Sequence, residues 1–186
     1  MTLSGTPTWH DITPATGPTA RSGQRAIYDP VRQRMVVFGG YDVAMLNEVW
    51  ALSLSGSPAW TNLAPSGTAP APRADHAVLY DAAHDRLVTF GGYDGPNSFA
   101  DVWALPLSGS PVWSHIVPSG TGPSACWGPS IVYDAGSDRM VLFGGMVVGD
   151  PSSQLFGLNL SGTPLWDTVP PTPGPGPTAR AMHSAI

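Results

Sequence analysis

The sequence contains no lysine, and arginine supplies all eight of its Lys/Arg side chains. The absence of lysine excludes Schiff-base chemistry and a phosphate-binding P-loop. Charged residues make up only 11% of the chain, against about 25% in a typical globular protein. The net charge of −5 argues against a nucleic acid or an anionic membrane as a partner.

Cysteine and long apolar runs are also scarce. The single cysteine, Cys126, excludes an internal disulfide and a thiolate metal cluster, so the redox compartment stays open. No apolar stretch approaches the ~18 residues of a membrane span, and the N-terminal residues show no signal-peptide pattern. We therefore assign no localisation beyond a slight preference for the cell exterior.

What the chain does contain is glycine, proline and an internal repeat. Its 22 glycines and 21 prolines are typical of many short strands joined by many turns. A Leu-Ser-Gly-x-Pro-x-Trp motif occupies residues 3–9, 54–60, 107–113 and 160–166, with tryptophans 51, 53 and 53 residues apart. An apolar run from arginine into Gly-Gly occupies residues 34–40, 86–92 and 139–145. Two motifs in constant order at one period indicate a repeat architecture.

Each repeat shows four strand signals. The first signals are residues 26–29, 78–81 and 131–134, and the second are the runs into Gly-Gly, such as 35–38. The third are 48–54, 101–107 and 154–160, and the fourth are 59–63, 112–117 and 165–169. Four strands per repeat of ~50 residues predict the blade of a β-propeller.

The predicted fold is all-β, with three complete four-stranded antiparallel blades in an open ring and one extra strand at each end. Residues 1–20 would hold the last strand of a preceding blade and a crossover, and residues 180–186 the first strand of a following blade. The blades would span residues 21–72, 73–125 and 126–179. Exposed blade edges of this kind favour self-association.

Residues that recur between repeats are interpreted as scaffold. The fourth-strand tryptophans would pack between blades, and each Gly-Gly would allow a positive φ or a close backbone approach. An aspartate and an arginine five residues apart would pair across each first hairpin, at Asp29, Asp81 and Asp134 with Arg34, Arg86 and Arg139.

The aromatic residues link these motifs to a known family. Trp50, Trp103 and Phe156 are each followed ten residues later by Trp60, Trp113 or Trp166. Together with the Gly-Gly strands, they resemble the kelch repeat of the galactose oxidase/kelch-like superfamily, in its divergent, bacterial-looking form. The resemblance implies a non-catalytic scaffold that binds a protein or a carbohydrate through its second-to-third-strand loops and inter-blade crossovers.

Candidate contact residues follow from that resemblance. The second-to-third-strand loops, residues 41–47, 93–100 and 146–153, differ between repeats as ligand-reading loops would. The candidates in these loops are Tyr41, Asp42, Tyr93, Asp94 and Asn97. Arg21 and Arg73 would either line the same face or pin the crossovers. The third repeat has Cys126-Trp127-Gly128-Pro129 where the others have Arg and a polar partner, and Trp127 is either a stacking site or sequence drift.

Catalytic readings find less support. The five histidines show no close metal spacing, and there is no nucleophile elbow or HExxH motif, so we predict no metal site and no cofactor. Asp94, Asn97 and Asp101 offer oxygen ligands suggestive of Ca²⁺, but their spacing fits no EF-hand. Two alternatives stay open: a piece of a propeller oxidase or glycan hydrolase with its catalytic residues on other blades, and a purely structural array.

Overall fold

The computed structural model describes residues 6, 8–169, 174 and 176–185. It contains three four-stranded antiparallel sheets, as the repeats predict. The strands of the first sheet are β1 (Arg25–Asp29), β2 (Arg34–Tyr41), β3 (Met45–Ser53) and β4 (Trp60–Asn62). Those of the second are β5 (Ala77–Asp81), β6 (Arg86–Phe90), β7 (Val102–Pro106) and β8 (Ser114–Ile116).

The third sheet repeats this plan with one addition. Its strands are β9 (Ser130–Asp134), β10 (Arg139–Phe143), β13 (Leu155–Asn159) and β14 (Trp166–Thr168). Between β10 and β13, β11 (Met146–Val147) and β12 (Asp150–Pro151) form a small hairpin. The sequence did not predict this hairpin, because its turn residues, Val148 and Gly149, lack the Asn-Gly or Asp-Gly signal of a tight turn.

The two end segments differ from the sequence prediction. Residues 8–13 and 181–185 form no strand, although their sequences repeat strand-forming segments. A strand needs a neighbouring strand to take up its backbone hydrogen bonds, and sequence similarity does not supply one. Parts of the predicted repeats lie outside the described residues: 1–5 and 7 in the first turn motif, 170–173 and 175 in the last crossover, and Ile186.

The three sheets pack side by side around their first strands. Strand β1 lies beside β5, and β5 lies beside β9, so the first strands form the inner edge of the array. Buried apolar side chains fill the space between neighbouring sheets. No sheet could bury both of its faces alone, which explains why the strands β2, β6 and β10 are apolar on both sides.

The repeated tryptophans take the predicted place between blades. The ring of Trp113, beside β8 in the second sheet, packs 5.0 Å from the ring of Phe38 in the first. Trp166 in the third sheet likewise lies 5.7 Å from Phe90 in the second. A Cβ atom on Gly122 would lie only 2.6 Å from the Trp166 ring, so this crossover position requires glycine.

The Gly-Gly pairs connect each blade to the next through the backbone. The second glycine donates its N–H to the carbonyl of the residue that opens the following repeat, from Gly40 to Arg73 at 2.9 Å and from Gly92 to Cys126 at 2.9 Å. Both residues of each pair have positive φ, for example 64° at Gly39 and 100° at Gly40. The predicted conformation and the predicted close approach are therefore both confirmed.

The predicted Asp–Arg pairs also form. The carboxylates of Asp29, Asp81 and Asp134 accept hydrogen bonds from Nε of Arg34, Arg86 and Arg139 at 2.8, 2.7 and 3.0 Å. The outer guanidinium nitrogens of Arg34 and Arg86 reach carbonyls of the next blade. The described residues include no helix that is long and apolar enough to cross a membrane.

Candidate functional site

Alternation of strand direction divides the molecule into two faces. The first-to-second-strand hairpins lie on one face, which we call the hairpin face. The second-to-third-strand loops and the crossovers lie on the other, which we call the crossover face. On this face, Tyr41, Tyr93 and Met146 follow the Gly-Gly pairs and form β-bridges with Ser22, Ala74 and Trp127, respectively. The candidate contact loops are therefore held to the blades by backbone hydrogen bonds.

The first loop presents an exposed tyrosine above a rigid turn. Tyr41 is exposed at the end of β2. The Asp42 carboxylate accepts hydrogen bonds from the backbone N–H groups of Val43 and Ala44 and, at 2.9 Å, from the Thr19 hydroxyl of the crossover. The bond from Ala44, then those from Thr19 and Val43, lower the pKa of Asp42, which therefore carries its charge here at neutral pH.

The second loop has the same construction. Asp94 accepts hydrogen bonds from the backbone and the side chain of Asn97, at 2.9 Å and 3.3 Å. The ring of Tyr93 lies 5.6 Å from the ring of Trp127, which belongs to the next repeat. The structure thus brings two of the candidate aromatic residues into contact. Both readings of Trp127, a stacking site and sequence drift, are compatible with this contact.

The suggested calcium ligands do not converge. Both carboxylate oxygens of Asp101 accept hydrogen bonds from Arg73, at 2.7 and 2.9 Å, and one also accepts from the Trp103 indole. Burial by itself raises the pKa of Asp101, but the Arg73 hydrogen bonds and charge, with the Trp103 bond, bring it below its usual range. Because the Arg73 guanidinium occupies both oxygens of Asp101, this carboxylate is a poor Ca²⁺ ligand.

The two candidate arginines attach each crossover to the blade that follows it. The side chain of Arg73 is 0% exposed and also donates to the carbonyl oxygens of Gly91 and Ala71, at 2.9 and 3.0 Å. Arg21 is nearly as buried and donates to Glu48 at 2.8 Å and to the Gly39 carbonyl at 3.2 Å. This geometry agrees with the crossover-pinning alternative, because neither guanidinium faces solvent.

A cavity of about 260 Å³ opens at the inner edge, where the first strands begin. Its polar lining includes Arg25, Ser130, His183 and Ser184. The His183 Nε2 atom shares a hydrogen bond of 2.7 Å with the Ser130 hydroxyl. Desolvation, and secondarily the charge of Arg180, lower the pKa of His183.

Sequence reasoning missed this cavity, although one of the repeat positions that line it holds different residues in different repeats. The same position holds Arg25, Ala77, Ser130 and Ser184 in successive repeats. Variation at one fixed repeat position would have been the available signal. The apolar groups of the crossover face were also missed: Val43, Val148 and Met182 are 93%, 96% and 61% exposed.

A second missed cluster lies on the hairpin face. Asp81, His84 and Asp138 bring one ligand atom each within 4.8 Å of one another. The prediction of no metal site rested on the absence of close spacing along the chain. That premise is corrected here, because the third ligand comes from the neighbouring blade.

Comparison with known proteins agrees with the architecture. The family model described as the KLHDC2/KLHL20/DRC7 Kelch-repeats domain matches residues 3–186. The chain is 31% identical over 188 residues to the serine/threonine-protein phosphatase BSL2 of Arabidopsis thaliana, covering 96% of this chain and 18% of that protein. It is 31% identical over 197 residues to the human multiple epidermal growth factor-like domains protein 8, covering 96% of this chain and 7% of that protein.

A third relative is the host cell factor homolog hcf-1 of Caenorhabditis elegans, 28% identical over 196 residues, with 96% of this chain and 24% of that protein covered. The chain therefore spans no more than about a quarter of these relatives. The family match covers nearly the whole chain, and the three sheets have the strand order that kelch blades require. This chain belongs to the kelch-repeat family.

Proposed function

We propose that this chain is a non-catalytic interaction module that binds a segment of a partner protein on its crossover face. The observation that carries this proposal is the aromatic pair of Tyr93 and Trp127, contributed by successive repeats with ring centroids 5.6 Å apart. Aromatic side chains contribute much of the binding energy of protein interfaces when they are held rigidly. Here the backbone of both residues is bridged to the rest of the face.

The surroundings of this pair support a protein ligand. Tyr41, Val43, Val148 and Met182 add exposed apolar surface on the same face. Isolated exposed apolar residues are ordinary, but several on one face are typical of interaction sites. The cavity of about 260 Å³ at the inner edge has room for one side chain, and Arg25 and the serines provide polar groups for its tip.

The charges of the face argue against a nucleic acid. Asp42 and Asp94 place carboxylates on two of the contact loops, and Arg21 and Arg73 are buried beneath them. Binding of nucleic acid depends on exposed basic side chains that neutralise phosphates. A peptide with apolar side chains and a basic or polar flank would fit this distribution better.

Catalysis is not supported at the cavity. Ser130 and His183 share the hydrogen bond of a nucleophile and a base, but Nδ1 of His183 has no partner among the described residues. A catalytic histidine needs a third group that orients its ring. His183 is also the repeat equivalent of His76: both pack edge-on against a phenylalanine, Phe143 and Phe38, respectively. Packing accounts for His183 without a reaction.

The proposal can be tested by selecting ligands from a phage-displayed peptide library and, in parallel, from a panel of oligosaccharides. Selected peptides should bind the unmodified chain and lose about 30-fold in affinity with Tyr93→Ala or Trp127→Ala, as truncated interface anchors do. Tyr28→Ala is the control, because Tyr28 is an exposed tyrosine that lies on the hairpin face.

Each contrary outcome has a distinct meaning. Peptides whose affinity falls with Tyr28→Ala but not with Trp127→Ala would contradict the assignment of the crossover face. Selection of oligosaccharides alone would favour the carbohydrate alternative over a protein partner. In that case the same three variants would show whether the aromatic pair is the site.

A further inference from the structure

The hairpin face contains an inter-blade bridge that depends on Arg32. Its guanidinium donates to both carboxylate oxygens of Asp29 in its own blade, at 3.2 and 3.0 Å. It also donates to Asp85 of the next blade at 3.0 Å. Asp29 is fully buried, and Asp85 accepts a further hydrogen bond from Tyr80 at 3.0 Å. One permanent cation thus lies between two carboxylates from neighbouring blades.

The next interface repeats the carboxylates but not the cation. Asp81 and Asp138 stand at the positions of Asp29 and Asp85, and Tyr133 donates to Asp138 at 2.8 Å as Tyr80 does to Asp85. The position of Arg32 is occupied by His84, whose Nδ1 lies 2.9 Å from Asp81. The second interface therefore has the same two carboxylates as the first, with an imidazole in place of the bridging guanidinium.

The charges at the two interfaces differ accordingly. Asp29 and Asp85 are matched by the two guanidinium groups of Arg34 and Arg32. Within the part of the chain that the structure describes, Asp81 and Asp138 have only the guanidinium of Arg86, which pairs with Asp81 at 2.7 Å. The second interface therefore has one permanent positive charge fewer than the first, and its Asp138 has no guanidinium partner among the described residues.

We propose that Asp81, His84 and Asp138 bind a divalent transition-metal ion of the Zn²⁺ class, which replaces the missing guanidinium and links the second and third blades. The ligand atoms of the three side chains all lie within 4.8 Å of one another. Two ligand atoms that bind one tetrahedral ion through bonds of about 2.1 Å lie about 3.4 Å apart, so the widest possible pair must close by up to about 1.4 Å. His84 is exposed on a hairpin turn and can make that movement.

The ligand chemistry selects the class of ion. An imidazole nitrogen with two carboxylates is a normal donor set for Zn²⁺, which completes a tetrahedral shell with water. Mg²⁺ and Ca²⁺ prefer oxygen ligands in larger number, and an imidazole contributes little to their binding. The buried Asp81 is held in place by Arg86 and by the His84 backbone N–H at 3.2 Å, so one ligand is preorganised.

The test is to titrate the chelator-treated chain with ZnCl₂ near neutral pH. Binding is measured by calorimetry, and stability is measured as the melting temperature. One equivalent of Zn²⁺ should bind, and the melting temperature should rise with its concentration, because a ligand that binds the folded state stabilises it. His84→Arg should reduce the Zn²⁺ affinity at least about tenfold, since it removes a ligand and supplies the guanidinium seen in the first interface. Asp138→Asn should have a similar effect on affinity.

Three further measurements keep the test independent of folding defects. His84→Arg should fold at least as well as the unmodified chain, because Arg32 makes the same bridge in the first interface. His115→Ala, which removes another exposed histidine, stacked on Trp103, should leave Zn²⁺ binding unchanged. NMR spectra of the histidine rings should show one ring shifted by Zn²⁺, and that signal should be absent from His84→Arg. Equal Zn²⁺ binding by the chain and its His84→Arg variant, or no binding by either, would refute the proposal.

Discussion

The clearest quantitative prediction concerns Trp113 and its repeat equivalents. Trp113 is 5% exposed and packs on Phe38 of the neighbouring blade. A buried tryptophan removes about 150–250 Å² from water, which at ~25 cal/mol per Å² corresponds to about 4–6 kcal/mol. Alanine retains part of that area, so Trp113→Ala should lower the free energy of unfolding by about 3–5 kcal/mol.

The repeat provides its own controls. Trp9 occupies the same motif position but is 85% exposed, so Trp9→Ala should cost less than about 0.5 kcal/mol. Trp60 is partly buried against the crossover residue Gly17 and should show an intermediate loss of about 1–2 kcal/mol. The chemical change is the same in all three variants, so the differences measure how deeply each ring is packed.

Urea unfolding followed by circular dichroism is the suitable assay, because fluorescence would change with the removal of any tryptophan. The comparison requires similar m-values, since arrays of repeats can lose two-state behaviour when an interface is weakened. A loss below about 1 kcal/mol for Trp113→Ala, or equal losses for Trp113→Ala and Trp9→Ala, would refute the inter-blade packing argument.

Three further predictions follow from the structure. Burial, with the charges of Arg73 and Arg25, lowers the pKa of His76 to about 3 from its ordinary 6.5, so the unfolded chain takes up a proton first as the pH falls. The free energy of unfolding should therefore decrease from pH 6.5 towards pH 3, and it should decrease less in His76→Leu. Parallel pH profiles of the two proteins in urea titrations would contradict this. Asp101→Asn should lower the free energy of unfolding in urea titrations by about 2–4 kcal/mol, because it leaves the buried Arg73 without its carboxylate. Asp94→Asn is the control, and an equal loss in both variants would show that the Arg73–Asp101 pair is dispensable. Apolar Leu155, Phe156 and Val169 line a cavity of about 250 Å³ at the third sheet, so we expect self-association through open blade faces. Light scattering should show a mass that rises with protein concentration. A constant single-chain mass would exclude self-association.

The sequence predicts some features of the candidate binding face and not others. The loops of Tyr41 and Tyr93 could be assigned to one face because strand direction alternates regularly. Trp127 stands out in the sequence because it breaks the repeated pattern. Its contact with Tyr93 joins two successive repeats, so the pattern within one repeat does not predict it. Arg73 was correctly seen as recurring, whereas its complete burial depends on Asp101 and on the crossover that covers it. Local patterns locate such residues without deciding whether solvent reaches them.

The sequence by itself determined the repeat, the four main strands of each blade and the Asp–Arg bonds within each blade. Apolar runs, turn residues and the Asp–Arg spacing act over a few residues, so they can be read along the chain, as the pairing of Asp29 with Arg34 shows. Only the tertiary structure decided which side chains of different repeats meet. Asp81 and Asp138 converge because the second and third blades stack at one particular rotation, and the inner cavity exists because β1, β5 and β9 converge at one edge. Packing between blades determines those distances, and no spacing along the chain encodes them.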